Sequence, residues 1–465
     1  MSNRADQLNA ELGKVHLMGV GGVGVSAVAR LLLDYGLSVS GSDAKDLPVL
    51  DDLRARGARI NVGYDPSNLD DADTVVISSI IKPGNAEYDE AVSRGLKILH
   101  RSQGLEAAMR GHDMIVTVAG THGKTTTTSL TAHMLKSIGA APSFAVGANI
   151  ASLGTNAELG TGNYFVAEAD ESDASFLNYR PDVIIVTNVE ADHLDHYGTA
   201  EAVHQAFVDF ADLLPPDGLL ICCADDPGAN DLAHKMRERR PDIRVQTYGF
   251  AEHADRRLSD AHVRDGGRFA ATIEWGSGQE YVLNLAVPGA HNLLNAAAAL
   301  SVGINAGVDV DEALDALGSF SGAARRFEFK GEAAGIRVYD DYAHHPTEVT
   351  AALKAGRAVA ENGKLHVIFQ PHLFSRTHEF YRQFAQALSL ADTVTLLEIY
   401  PAREEPIPGV TSELIAERVE VPAKVLGPEQ AVAHVSRLAE SGDIIMTVGA
   451  GDVTYLGPQL LDALA

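Results

Sequence analysis

The chain has 465 residues, of which 46% are apolar and 22% charged, and its formal net charge is −26. That length exceeds what one hydrophobic core usually serves, so two or three domains are expected. So acidic a balance excludes non-specific nucleic-acid binding, and it forces any phosphate binding to be local, through glycine loops, helix N-termini and a few cations. No apolar run approaches the ~18 residues of a membrane-spanning helix. The polar stretch Met1–Lys14 lacks the apolar segment of a signal peptide. A cytoplasmic protein without membrane insertion is therefore expected. The two cysteines, Cys222 and Cys223, are adjacent in an apolar run and read as core residues in a reducing compartment.

In chain order, short β-branched runs alternate with amphipathic helices. The predicted strands are Val15–Val20, Ser38–Gly41 and Thr74–Ile80, then Met114–Ala119, Tyr164–Ala167, Val183–Thr187 and Leu219–Cys223, then Ile336–Tyr339, Leu365–Phe369, Val394–Leu397 and Ile444–Val448. Such alternation predicts an α/β protein with parallel sheets covered on both faces, and ligands beyond the carboxyl ends of the strands. Breaks near Gly111 and Arg325 divide it into three domains, 1–110, 111–325 and 326–465, with Gly322 as a plausible hinge. The alternating runs Arg268–Trp275 and Glu280–Ala286 predict a small antiparallel insert in the second domain.

The first strand leads into Gly19-Val20-Gly21-Gly22-Val23-Gly24, with Asp43 at the end of the next. This reads as a dinucleotide fingerprint, but its physics is only that backbone amides and a helix dipole bind a diphosphate. A UDP group would serve equally. The fourth strand leads into Gly120-Thr121-His122-Gly123-Lys124-Thr125-Thr126, where glycines let consecutive amides face a phosphate. Lys124 can reach the β- and γ-phosphates of ATP, and Thr125 can ligate Mg²⁺. Next come Glu168, a candidate Mg²⁺ ligand at a strand end, and Asp170, Glu171 and Asp173, which read as solvated loop acids. His193 follows at a third strand end and is a candidate for the metal or the phosphate. The last domain has polar strand ends at Tyr339–Pro346, Gln370–Arg376, Glu398–Arg403 and Gly449–Asp452. Pro346 suits the first turn of a helix, and Arg376 and Arg403 suit carboxylate clamping.

The ordered motifs GTHGKTTT, EADESDASFL, TNVEADHLDHY, VPGAHNLLNAAAAL, GAARRFE, YDDYAHHPTE and QPHLFSRT resemble those of the Mur ligases of peptidoglycan synthesis, over about residues 14–460. The resemblance implies a Rossmann-like N-terminal domain for the UDP group, a central P-loop ATPase-type domain and a C-terminal Rossmann-like domain that closes over the site. It implies an ATP- and Mg²⁺-dependent ligase that joins L-alanine to UDP-N-acetylmuramate through an acyl phosphate, acting as a monomer or homodimer on small molecules. Carried over by motif, Gly120 to Thr126 hold the ATP phosphates, and Thr125, Glu168 and His193 hold Mg²⁺. His291, Asn292 and Asn295 meet the adenine, Arg326 the phosphates, and Asp341 and Tyr342 the ribose and base. Gly19, Gly21, Gly22, Gly24, Asp43, Ser78 and Ser79 contact the UDP moiety. His344, His372 and Arg376 face the muramate carboxylate and the alanine, with His344 as a candidate general base. The stretch Glu168–Tyr179 is short, which favours the alanine-adding branch over the tripeptide-recycling one. No lysine lies between Lys136 and Lys235, so the carbamylated lysine of several sister ligases is absent. The rival readings are a nicotinamide oxidoreductase, resting on Gly19, Gly21 and Gly24 alone, a P-loop switch or partition ATPase, and a tripeptide-recycling or folylpolyglutamate-type ligase.

Overall fold

The computed structural model describes residues 2–264, 268–275, 278–402 and 404–465. Arg403 lies outside them. The strands build three sheets. The first holds β1 (Val15–Met18), β2 (Val39–Asp43), β3 (Arg59–Val62), β4 (Thr74–Ile77) and β5 (Lys97–His100) in the order β3-β2-β1-β4-β5, all parallel. The order reverses between β1 and β4, so the loops after those two strands open a crevice at the carboxyl edge.

The second sheet is built on β6 (Met114–Ala119), β7 (Ser143–Ile150), β8 (Thr155–Glu158), β9 (Tyr164–Glu168), β10 (Val183–Val186), β11 (Leu219–Cys223) and β12 (Arg244–Gly249). These run in the order β12-β11-β10-β6-β9-β7-β8, parallel except for β8 at the edge. β13 (Arg256–Arg264), β14 (Arg268–Trp275) and β15 (Gln279–Leu285) continue the order beyond β12. Strands β10 and β11 are buried along their whole length, which is why they read as unbroken apolar runs. The third sheet holds β16 (Glu328–Ala333), β17 (Ile336–Asp341), β18 (Leu365–Phe369), β19 (Thr393–Leu396), β20 (Ala423–Val425) and β21 (Ile444–Val448). Its order is β16-β17-β21-β18-β19-β20, with only β16 antiparallel. Apolar clusters around Leu353 and Phe384, and around Val435 and Leu460, supply its core.

The three sheets fall into two compact units, one of residues Met1–Ser259, Thr272–Val282 and Leu294–Phe320, the other of Asp260–Ala271, Leu283–Leu293 and Ser321–Ala465. In the first unit the two sheets are joined by hydrogen bonds as well as by packing. Arg30 donates to the Asn156 side chain, Asn156 Nδ2 donates to the Val23 carbonyl at 3.3 Å, and Asn178 Nδ2 donates to Ser102 Oγ at 2.7 Å. The sequence break near Gly111 is thus a change of sheet without a gap in packing.

Candidate active site

Strand β6 ends at Ala119, and the chain turns through Gly120 at φ 133° and Gly123 at φ 79° before the helix Lys124–Ser137 begins. A Cβ at Gly120 would lie 2.1 Å from Thr187 Oγ1, so only glycine lets the loop pass so close to the end of β10. Asn188 fastens the loop: its Oδ1 accepts from the His122 amide at 2.7 Å, and its backbone carbonyl accepts from the Thr121 amide at 3.3 Å. The helix that follows opens on four threonines, poor helix formers. Hydroxyls on this helix are satisfied by back-bonding, Thr128 Oγ1 to the Lys124 carbonyl (2.8 Å) and Thr131 Oγ1 to that of Thr127 (2.8 Å). Thr126 is buried on this helix.

Lys124 Nζ donates to the Gly120 carbonyl at 2.6 Å, the Thr121 carbonyl at 3.1 Å and Glu171 Oε1 at 2.8 Å. Burial works against this ammonium, but the carboxylates of Glu171, Glu168 and Asp170 outweigh it and raise its pKa. Thr125 Oγ1 donates to Glu168 Oε1 at 3.1 Å, and the Gly147 amide donates to Glu168 Oε2 at 2.7 Å. His193, in a left-handed backbone conformation (φ 56°), places Nε2 at 3.8 Å from Glu171 Oε1 and 3.7 Å from Asp192 Oδ2. Asn295 Oδ1 accepts from Thr127 Oγ1 at 3.1 Å and lies 2.9 Å from where a Cβ on Gly123 would stand. The structure therefore gathers Lys124, Thr125, Glu168, His193 and Asn295 around one loop.

The acidic segment departs from the solvated-loop reading. Glu171 is only 2% exposed, and Asp170 is ion-paired with Arg101 of the N-terminal sheet's last helix. Asp173 lies 3.6 Å from His100 Nε2. Burial raises Asp170 as it does Glu171, but Arg101 and Lys124 reverse the effect and hold Asp170 at about 2. These contacts come from residues some seventy positions apart, so nothing in the local sequence announces them.

Thr125 and Glu168 present hard oxygen donors side by side. That donor set suits Mg²⁺.

In the N-terminal crevice, Gly19 adopts φ 70°, and Gly22 precedes the helix Val23–Asp34. Asp43 is engaged by the backbone: Oδ2 accepts from the Gly21 amide at 2.9 Å and Oδ1 from the Lys45 amide at 3.1 Å. Asp43 thereby shapes the glycine loop. Ser78 Oγ would be 3.8 Å from a Cβ on Gly19, while Ser79 is exposed. Gly24 leaves room for Arg101, whose Nη1 would be 3.2 Å from a Cβ there.

In the second unit, the helix Pro346–Ala360 starts with Pro346 in its first turn, as expected, and Glu348 completes a capping box with His345. Glu348 also accepts from the His344 amide at 2.9 Å, and its Oε2 lies 3.2 Å from His344 Nδ1. The His344 ring meets Tyr342 edge-on at 5.3 Å and His372 at 5.9 Å. His372 stacks on Tyr400 at 5.7 Å, and its Nδ1 is 3.4 Å from Arg376 Nη1. Burial, reinforced by Arg376 and His372 and opposed by Glu348, lowers the His344 pKa to about 3. Its ring is held neutral at pH 7. Asp341 accepts from the Phe327 and Ala343 amides, both at 2.8 Å, and burial pushes its carboxyl up to about 6 against the pull of Arg326. The Arg326 guanidinium lies 5.2 Å above the Tyr342 ring. Glu348 was not singled out, and Tyr400 was read only as part of the polar strand end Glu398–Arg403. The only available signal was the i,i+4 spacing from His344 for one and a strand-end position for the other.

Asn292 Nδ2 donates to the Pro288 carbonyl at 2.6 Å, and the adjacent His291 ring approaches Gly289 so closely that a Cβ there would be 2.4 Å away. Burial lowers the His291 pKa to about 4. The unfolded chain takes up this proton near pH 6.5, whereas the folded chain resists it until about pH 4. This group's contribution is complete above pH 6.5 and is lost as the pH falls towards 4, amounting to about 2–3 kcal/mol. Urea midpoints measured across that window are expected to fall with pH in the parent protein, and less steeply in His291→Gln.

The fold and loop chemistry define an α/β protein of three sheets, with a glycine–lysine loop after β6 of the kind that suits a phosphate. Three family models cover the chain in order: "Mur ligase family, catalytic domain" over residues 14–113, "Mur ligase middle domain" over 118–303, and "Mur ligase, glutamate ligase domain" over 325–451. The UDP-N-acetylmuramate–L-alanine ligase of Paenarthrobacter aurescens is 56% identical over 453 residues, covering 97% of both chains. That of Kineococcus radiotolerans is 50% identical, covering 98% of this chain and 97% of its own. The crystal structure of the UDP-N-acetylmuramate–alanine ligase of Thermotoga maritima superposes with a TM-score of 0.81 at 29% identity, over 97% of this chain and 98% of that one. A murein peptide ligase from Psychrobacter arcticus gives 0.71 at 27% identity with the same coverage. The chain belongs to the Mur ligase family.

Among the described residues no helix is long and apolar enough to cross a membrane.

Proposed function

We propose that this chain joins L-alanine to UDP-N-acetylmuramate, using ATP, in peptidoglycan precursor synthesis. The observation that carries the reading is the 56% identity to an L-alanine ligase across nearly the whole of both chains. The short Glu168–Tyr179 segment and the lower likeness to the murein peptide ligase also favour alanine over a tripeptide. The domains are taken as 1–110 for the UDP group, 111–325 for ATP and 326–465 for the amino acid.

A carboxylate does not acylate an amine at neutral pH, because oxide would have to leave. Attack of the muramate carboxylate oxygen on the γ-phosphorus expels ADP and leaves an acyl phosphate. The neutral alanine nitrogen then attacks the acyl carbon, phosphate departs, and the amine proton passes to a base. Lys124 and Arg326 neutralise charge on the transferring phosphoryl group, and the loop amides from Gly120 to Gly123 position it. Thr125, Glu168 and His193 would hold Mg²⁺, which when bound shields the phosphate oxygens. His291, Asn292, Asn295, Asp341 and Tyr342 receive the nucleoside. Gly19, Gly21, Gly22, Gly24 and Ser78 receive the UDP diphosphate. Arg376 and His372 orient carboxylates, the planar guanidinium being suited to bidentate binding.

Phosphate release from ATP with Mg²⁺ is expected to require both UDP-N-acetylmuramate and L-alanine. Release that ignores alanine but responds to a tripeptide would move the protein to the recycling branch. No muramate-dependent release from folded protein would overturn the substrate assignment.

A further inference from the structure

Glu171 has no part in the mechanism above, yet three strand-end motifs converge on it. Its Oε1 accepts from Lys124 at 2.8 Å and lies 3.8 Å from His193 Nε2, and its backbone carbonyl accepts from the Tyr197 hydroxyl and from the Ala174 amide. The Lys124 ammonium carries three protons, and all three are used, on Gly120 O, Thr121 O and Glu171 Oε1. A nucleotide phosphate can therefore gain Lys124 only by displacing one of these acceptors. The two carbonyls belong to the loop that must itself cradle the phosphate. Glu171 is the acceptor free to leave: its backbone is pinned, its side chain has its own torsions, and its Oε2 has no hydrogen-bond partner among the described residues.

We propose that Glu171 is a built-in competitor for the nucleotide: a positioning residue whose carboxylate holds Lys124 inside the loop until phosphate oxygens replace it. The inference rests on the reading of Lys124 as a phosphate ligand. The pair keeps the lysine ordered and desolvated before ATP arrives, and each binding event exchanges one anion for another at the same ammonium. Apparent affinity is then reduced by the fraction of protein in which Lys124 is held by Glu171.

The test is a double-mutant cycle on the affinity of the full chain for ATP without Mg²⁺, by calorimetry. Glu171→Gln is expected to bind about five-fold more tightly or better, whereas the same change in a Lys124→Met background shifts affinity less than about two-fold. Glu171→Asp keeps the charge but is too short for the 2.8 Å contact, and it should tighten binding as Gln does. Should Glu171→Gln not fold, Asp carries the same comparison. Equal tightening in both backgrounds would reduce the effect to long-range repulsion and overturn the proposal. Unchanged or weaker binding by folded Gln and Asp variants would also overturn it. Lys124→Met binding ATP as well as the parent would instead refute the phosphate-ligand reading on which it rests.

Discussion

Lys124→Met is expected to lower kcat/KM for alanine-dependent phosphate release by about 10³-fold, because it removes a charge placed where the transferring phosphoryl group becomes most anionic. A second loss accompanies it. Glu171 is 2% exposed and faces Lys124 at 2.8 Å, so the substitution strands a buried carboxyl group beside Asp170. Breaking such a pair from one side costs about 3 kcal/mol, most of it desolvation of the remaining charge. Lys124→Met with Glu171→Gln removes both charges and should regain most of that stability while recovering no turnover. Chemical denaturation and a phosphate-release assay on the two variants separate the effects. Turnover by Lys124→Met within ten-fold of the parent would remove the lysine from the chemistry.

Two neighbouring arginines should behave in opposite ways. Arg325 is committed to the fold: its guanidinium donates to Asp340 Oδ2 at 3.3 Å and to the carbonyls of Gly449 at 2.5 Å, Ala450 at 3.4 Å and Gly451 at 3.1 Å. Asp340 is completely buried and otherwise accepts from the Thr447 and Thr454 hydroxyls. Arg325→Ala is therefore expected to cost about 3 kcal/mol, read as faster hydrogen exchange in β17 and β21. Arg326 lies over Tyr342, and its charge acts on Asp341. Arg326→Ala should leave exchange in those strands unchanged and lower kcat by about 10²-fold, as expected for loss of a donor to a phosphoryl group. A reversed pattern would exchange the two assignments.

The strands legible in the sequence were those with strong apolar runs. Met114–Ala119, Leu219–Cys223, Leu365–Phe369 and Ile444–Val448 have the predicted bounds, because a strand buried on both faces is apolar along most of its length. The strands that escaped include β3, β5, β8, β16 and β20, each at the edge of its sheet among the described residues and partly exposed. An edge strand is defined by its one neighbour more than by its own side chains.

The glycine–lysine loop was readable for a different reason. Its chemistry is local: Gly120 and Gly123 must turn, Lys124 and Thr125 must follow at fixed spacing, and a helix must begin there. The acidic segment was readable only in part. Glu168 could be singled out because it ends a strand, but Asp170, Glu171 and Asp173 looked alike in a run of acids. Their fates differ because different distant groups reach them: the Arg101 and Lys124 cations meet Asp170 and Glu171, and the His100 ring lies near Asp173. Asp43 shows the same limit. Its strand-end position pointed to the UDP moiety, and only the structure shows that its oxygens also accept from the Gly21 and Lys45 amides.

By itself, then, the sequence determined the α/β class, the order of its motifs and the glycine–lysine loop for which a phosphate is proposed, all properties written within a dozen consecutive residues. Only the tertiary structure decided which of several identical carboxylates is buried, which of two adjacent arginines supports the fold, and how far burial moves His344 and His291. Those outcomes depend on desolvation and on charges supplied by remote segments, and a charge's surroundings exist only once the chain has folded.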